Sequence, residues 1–264
     1  MIYFFGYLFS KWQVLIMKVL SIGNSFSQDA HKWLHSIAKA DSYNLDTVNL
    51  YVGGCSLETH WNNVLSGDEG YDMEGNNGVF IKKTSITEAL KSEKFDAVTL
   101  QQVSGLSGKP QSYFPYLIDL VDLVKEKQPN SKLYFHKTWS YEIDSDYPSF
   151  LIYNKDQKEM YRRLSDATDM VSKILNVDVI PTGDVIQALR EKTKEFDYQN
   201  GGISLCRDGF HLSLDYGRFA AACIWYRTLT GRKISFDKAM KVNKEFDKHL
   251  INIILCHIEN LYLL

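Results

Sequence analysis

The chain has 264 residues, 45% of them hydrophobic, which is enough apolar material to build one large α/β core and too much for a disordered chain. Thirty basic against thirty-two acidic side chains leave a formal net charge of −2, so no general electrostatic pull recruits phosphate backbones or anionic lipid, and neither nucleic acid nor a membrane is an expected partner. Cys55, Cys206, Cys223 and Cys256 form no CxxC and no paired spacing with histidine; this excludes a zinc ribbon and a disulfide framework and leaves free thiols as the expectation.

Residues 1–16, MIYFFGYLFSKWQVLI, are apolar and aromatic but interrupted by Lys11, with no basic start and no small-x-small cleavage site. The uninterrupted part is too short for a span of about 20 residues. These sixteen residues read as an upstream extension, and 17–264 as a single domain of a soluble, cytoplasmic protein. From Met17 onward short β-branched or aromatic runs alternate with segments of helical period. Strands are expected at Lys18–Ile22, Asp46–Tyr51, Ala97–Gln101, Lys132–His136 and Val177–Ile180, nearly continuous in apolar residues as parallel strands covered on both faces are. Ala30, Trp33, Leu34, Ile37 and Ala38 make one helical stripe, and Tyr116, Leu117, Leu120, Val121 and Val124 another. Further helices are expected at 156–175, at 214–230 between Ser213 and Gly231, and at 240–262 packed on the sheet. This rhythm predicts a single-domain, doubly wound, mostly parallel five-stranded sheet flanked by helices, with ligands bound beyond the carboxyl ends of the strands.

The residues after each expected strand therefore carry the functional reading. Gly23-Asn24-Ser25-Phe26-Ser27 follows the first strand and precedes the Ala30 helix. A serine there suits a nucleophile beside a helix N-terminus, or a helix cap. Gly53-Gly54-Cys55-Ser56 follows the second strand, where two glycines either present a backbone N–H to a ligand or make an ordinary turn. Gln101-Gln102 closes the third strand with two amides able to donate to an oxyanion or to cap the sheet end. Near the C-terminus, Arg207-Asp208-Gly209-Phe210-His211-Leu212-Ser213 places Asp and His three apart on a glycine-containing loop, a spacing that lets the carboxylate meet one imidazole nitrogen and leaves the other to take a proton.

In these blocks the chain, from residue 17 to about 230, resembles the SGNH (GDSL-like) hydrolase superfamily. IGNSFS is similar to its first block, GGCS to its second and RDGFHLS to its last; GNSFS, GGCSLETHW, LQQ, TW and DGFHLS together resemble a bacterial branch without settled activity whose members are labelled acetylhydrolases. The resemblance implies a flavodoxin-like SGNH architecture, a Ser25-His211-Asp208 triad, and Ser25 and Gly54 as backbone oxyanion donors. Two departures stand out. LQQVSG replaces the Gly-x-Asn-Asp block, leaving Gln102, or else Gln101, as the expected third donor; Asn24 replaces the usual aspartate.

The expected activity is hydrolysis of short acyl, above all acetyl, esters of a carbohydrate or similar polar substrate, without metal or cofactor. His60, Trp61, Trp139 and Tyr141 are expected to stack on a sugar ring or else to pack. The alternatives are a lipase or thioesterase on longer chains and a non-catalytic glycan-binding relative.

Overall fold

A computed structural model describes residues 15–263; of the expected extension, residues 1–14 lie outside the described residues. The alternation of apolar runs produces strands β1 Met17–Gly23, β2 Leu45–Tyr51, β3 Tyr71–Gly75, β4 Val79–Thr84, β5 Ala97–Leu100, β6 Lys132–His136 and β7 Asp178–Ile180. They form one sheet in the order β4-β3-β2-β1-β5-β6-β7. The five expected strands are all present and mutually parallel, but the expected five-stranded sheet is corrected to seven by the antiparallel hairpin β3–β4 on its edge. Five of the six β4 residues are exposed, so neither a buried run nor a two-residue alternation marks it. Its only local signal is the turn Asn76-Asn77-Gly78, with φ of 61° at Asn77 and 78° at Gly78, a conformation that asparagine and glycine adopt most readily.

Strand side chains alternate between the two faces. Leu20, Ile22, Val98 and Leu100 face one core with helices α3 (Ile86–Ser92) and α4 (Tyr116–Lys127). Val19 and Ala97 face the other, larger core with α1 (Ser25–Ala40), α6 (Thr182–Lys192) and α7 (Tyr216–Thr230). The positions between them on this second face are polar: Ser21 Oγ lies 2.7 Å from Thr99 Oγ1 and 2.8 Å from His31 Nε2 of α1. α2 (Leu57–Ser66) follows β2, and α5 (Gln157–Leu175) fills the span expected at 156–175.

Two helix expectations are corrected. α7 is capped by Asp215, not Ser213, whose hydroxyl instead accepts the Gly217 N–H at 2.9 Å. The segment 240–262 is two helices, α8 (Phe236–Val242) and α9 (Lys248–Leu261). Asp247 starts the second by accepting the His249 and Leu250 N–H groups, and α9 packs chiefly on α6, α7 and α8 rather than on the sheet. Among the described residues no helix is long and apolar enough to cross a membrane, and all four cysteines are free.

Because β1 is flanked by β2 on one side and β5 on the other, chain connections leave it in opposite directions. The crevice beyond its carboxyl end is the topological switch point.

Candidate active site

Asn24, the residue that ends the β1 turn, is the N-cap of α1: its Oδ1 accepts the Phe26 N–H at 3.0 Å. Capping thus falls to neither Ser25 nor Ser27, and the Ser25 hydroxyl is left for another partner. That partner is His211, whose Nε2 lies 2.8 Å from Ser25 Oγ across 186 residues of sequence. His211 Nδ1 lies 2.7 Å from Asp208 Oδ2, and Asp208 Oδ1 accepts the backbone N–H of His211 at 2.8 Å. Burial pushes the Asp208 carboxyl up, but the hydrogen bonds from the His211 ring and the loop N–H groups outweigh it and hold the pKa below the ordinary range. Asp208 therefore stays ionised and fixes the imidazole proton on Nδ1, which leaves Nε2 to accept from the serine. Gly209 makes the loop possible. Its φ is +83°, and a Cβ there would lie 3.0 Å from Ser145.

A side chain that sequence reasoning missed docks this loop. Asp29, one helical turn beyond Ser25 and fully buried, accepts from Arg207 Nη1 at 3.0 Å, Arg218 Nε at 2.7 Å and the Leu212 N–H at 2.8 Å. The helix that carries Ser25 is thereby tied to the loop that carries Asp208 and His211. An acidic residue on the apolar face of the Ala30 stripe, with arginines on both sides of DGFHLS, was the available signal.

Ser25 and His211 open into a cavity of about 170 Å³ lined also by Gly53, Gly54, Tyr51, Val103, Ser104, Tyr147 and Phe210. The sheet register explains the two walls. Gly23 pairs with Tyr51 and Ile22 with Leu100, so the turns after β2 and β5 flank the Ser25 turn on either side. Gly54 has φ of +64°, a conformation open to glycine at little cost, which sets the direction of its N–H. On the opposite wall Ser104 Oγ lies 2.8 Å from Tyr141 Oη, which in turn lies 2.9 Å from Ser149 Oγ.

Neither glutamine is a free donor there, which corrects the expectation for both. Gln102 turns to the α2 side: its Oε1 accepts the Leu57 and Val103 N–H groups at 3.1 and 2.8 Å, and its Nε2 donates to Ser112 O at 2.9 Å. Gln101 turns to the α1 side, donating from Nε2 to Asn24 Oδ1 at 2.7 Å, with its Oε1 2.8 Å from His136 Nδ1. Alternation along the strand separates the two, as the pleat requires, and each is consumed by buried backbone or side-chain groups.

Of the two roles expected for His60, Trp61, Trp139 and Tyr141, packing is the one the structure has, and the stacking role is corrected because none of them lines the cavity. His60 is fully buried with Nδ1 2.8 Å from Tyr71 Oη, and burial pushes its pKa down to about 3. Trp61 packs against the α3–α4 core. Trp139 is buried flat on Phe26, ring centroids 4.0 Å apart, and donates to Phe210 O at 2.7 Å. Tyr141 is buried behind Ser104. The aromatic lining is instead Phe26, Tyr51, Tyr147 and Phe210, with the Tyr147 and Phe210 rings 4.3 Å apart.

A family model described as a domain of unknown function, DUF4886, matches residues 18–249. Among solved structures, a DUF4886 family protein from Bacteroides uniformis ATCC 8492 is 31% identical, with a TM-score of 0.83 over 94% of this chain and 95% of that one. A candidate SGNH hydrolase from Slackia heliotrinireducens is 17% identical, with a TM-score of 0.55 over 81% of this chain and all 100% of that one. TesA is 13% identical, with a TM-score of 0.51 over 81% of this chain and 99% of that one. The fold is thus the SGNH hydrolase fold that the sequence resemblance implies. No curated protein matches the chain.

Proposed function

The chain belongs to the DUF4886 family, and on that premise we propose that it is a serine esterase releasing short acyl groups, acetyl above all, from a carbohydrate or similar polar ester. The observation that carries this reading is the line Ser25 Oγ, His211, Asp208, with contacts of 2.8 and 2.7 Å, opening into a cavity.

Ser25 Oγ attacks the ester carbonyl while His211 Nε2 takes its proton, and Asp208 stabilises the imidazolium. The oxyanion is met by the Ser25 and Gly54 N–H groups from one side. From the other side the Ser104 hydroxyl donates, held by Tyr141, in the place expected of a glutamine. Preorganised donors of this kind lower the barrier by about 3 kcal/mol each. Collapse of the tetrahedral intermediate expels the alkoxide, which takes the proton from His211. Water then attacks the acyl-serine, giving its proton to the same nitrogen, and the carboxylic acid leaves as Ser25 is restored.

A cavity of about 170 Å³ holds a two- to four-carbon acyl group more readily than a fatty chain, and the exposed Tyr147 beside Phe210 offers a flat face to a sugar ring. Turnover of para-nitrophenyl acetate, butyrate and octanoate tests the reading. Acetate and butyrate are expected to exceed octanoate in kcat/KM by tenfold or more. The reverse order would place the chain with lipases or thioesterases, and no turnover of any of them with the wild-type triad would favour the glycan-binding alternative.

A further inference from the structure

Three side chains outside the triad join the turn that carries Ser25 to the turn after β2. A backbone N–H can only donate, so the Phe26 N–H identifies Asn24 Oδ1 as an acceptor and Asn24 Nδ2 as the donor that reaches the Cys55 carbonyl at 3.1 Å. Gln101 Nε2 meets the same Oδ1 at 2.7 Å and must donate to it; its Oε1 is then an acceptor, and His136 Nδ1, 2.8 Å away, carries a proton. One backbone N–H thus orders every bond from β6 through the end of β5 to the turns after β1 and β2. Asn24, Gln101 and His136 are each at most 1% exposed, so no water competes for these bonds. Burial pushes the His136 pKa down to about 3 and keeps the ring neutral. Trp139 and Trp225 of α7 pack against it, and His31 of α1 is the titratable group whose charge it feels.

Asn24 precedes the nucleophile and Cys55 follows Gly54, so the Asn24 to Cys55 bond is a strut between the nucleophile turn and the oxyanion turn. We propose that Gln101, itself anchored by His136, is a positioning residue that locks Asn24 as this strut and so sets the separation of Ser25 from the Gly54 N–H. Its catalytic consequence rests on the esterase reading. The same polarity accounts for asparagine at position 24. A carboxylate would still accept from Phe26 and Gln101, but it would set an unprotonated oxygen against the Cys55 carbonyl.

The test compares wild type with Gln101→Met, of similar length but without hydrogen bonds, and Gln101→Glu. Misplacing reacting groups by about 1 Å costs on the order of 10²-fold, so Gln101→Met is expected to lose 10- to 100-fold in kcat with KM within about twofold. A protonated Glu at 101 donates to Asn24 and accepts from His136 as glutamine does, whereas its ionised form repels Asn24 Oδ1. Its kcat relative to wild type should therefore fall steadily from pH 5 to pH 9. The amide ¹H–¹⁵N resonances of Ser25 and Gly54 report the strut without any substrate, and both should move in Gln101→Met while those of β6 and β7 stay in place. Unmoved resonances, or a Gln101→Glu ratio flat with pH, would overturn the proposal. If the wild type neither turns over esters nor reacts with a fluorophosphonate, the esterase reading fails, and the two resonances still decide the strut.

Discussion

Replacing Asp29 by asparagine keeps the side chain's shape and removes its charge where three donors converge. Both arginine bonds, 3.0 Å to Arg207 and 2.7 Å to Arg218, drop from charge-assisted to neutral strength, about 1 kcal/mol each. The amide then presents NH₂ where an oxygen stood, so either the Leu212 N–H or one arginine loses its acceptor, at about 1–3 kcal/mol. Asp29 is wholly buried, but the Arg207 and Arg218 side chains keep 29% and 13% exposure, and water recovers part of the loss. The expected destabilisation is about 3 kcal/mol, which for a domain of this size lowers Tm by roughly 6–10 °C. The loop from Cys206 to Leu212 is held to α1 through these bonds, so His211 should drift from Ser25 and kcat on para-nitrophenyl acetate should fall by about 10²-fold. Thermal unfolding and steady-state kinetics on the same preparation measure both. An Asp29→Asn protein with wild-type Tm and kcat would refute the view that this carboxylate docks the loop that carries Asp208 and His211.

Ser25→Ala is expected to lose at least about 10³ in kcat with Tm unchanged, and to take no fluorophosphonate adduct by intact mass; retention of the adduct would place the nucleophile elsewhere. Ser104→Ala should lower kcat by about 10²-fold or more at constant KM, and an unchanged kcat would leave the oxyanion to the two backbone donors. Gln102→Ala should instead cost about 1–3 kcal/mol of stability by stranding the Leu57 and Val103 N–H groups, with kcat little altered; a large kcat loss at full stability would reinstate it as a donor. His31, His60 and His136 are each held by burial near pKa 3 against an ordinary 6.5. Since their folded values are depressed, the stability they contribute is fully present above pH 6.5 and is lost as pH falls towards 3. The unfolded chain binds up to three more protons in that window, a slope of up to roughly 4 kcal/mol per pH unit. His60→Gln should flatten it by about a third, and urea titrations at pH 7, 6 and 5 that show no slope would contradict neutral burial of the three rings.

What the chain determines by itself is local. Five parallel strands were legible because each is a short, largely apolar run, and the helices because their stripes repeat within a few residues. The Ser25 turn and the pairing of Asp208 with His211 were legible for the same reason: a strand-to-helix turn and a three-residue spacing fix geometry through the backbone alone. The tertiary structure decided whatever depends on partners far away in sequence. Gln101 meets Asn24 across 77 residues and Gln102 meets Leu57 across 45, so which amide is free was not contained in LQQVSG. His60, Trp139 and Tyr141 follow strand ends as ligand-stacking residues would, but an aromatic ring packs or faces solvent according to what the opposite layer places over it, and here Tyr71, Phe26 and Ser104 cover them. The hairpin β3–β4 escaped because an edge strand needs no apolar pattern of its own when β2 supplies its hydrogen bonds. Asp29 escaped because the meaning of a buried carboxylate lies in its counter-charges, and Arg207 and Arg218 reach it only once the chain has closed over α1.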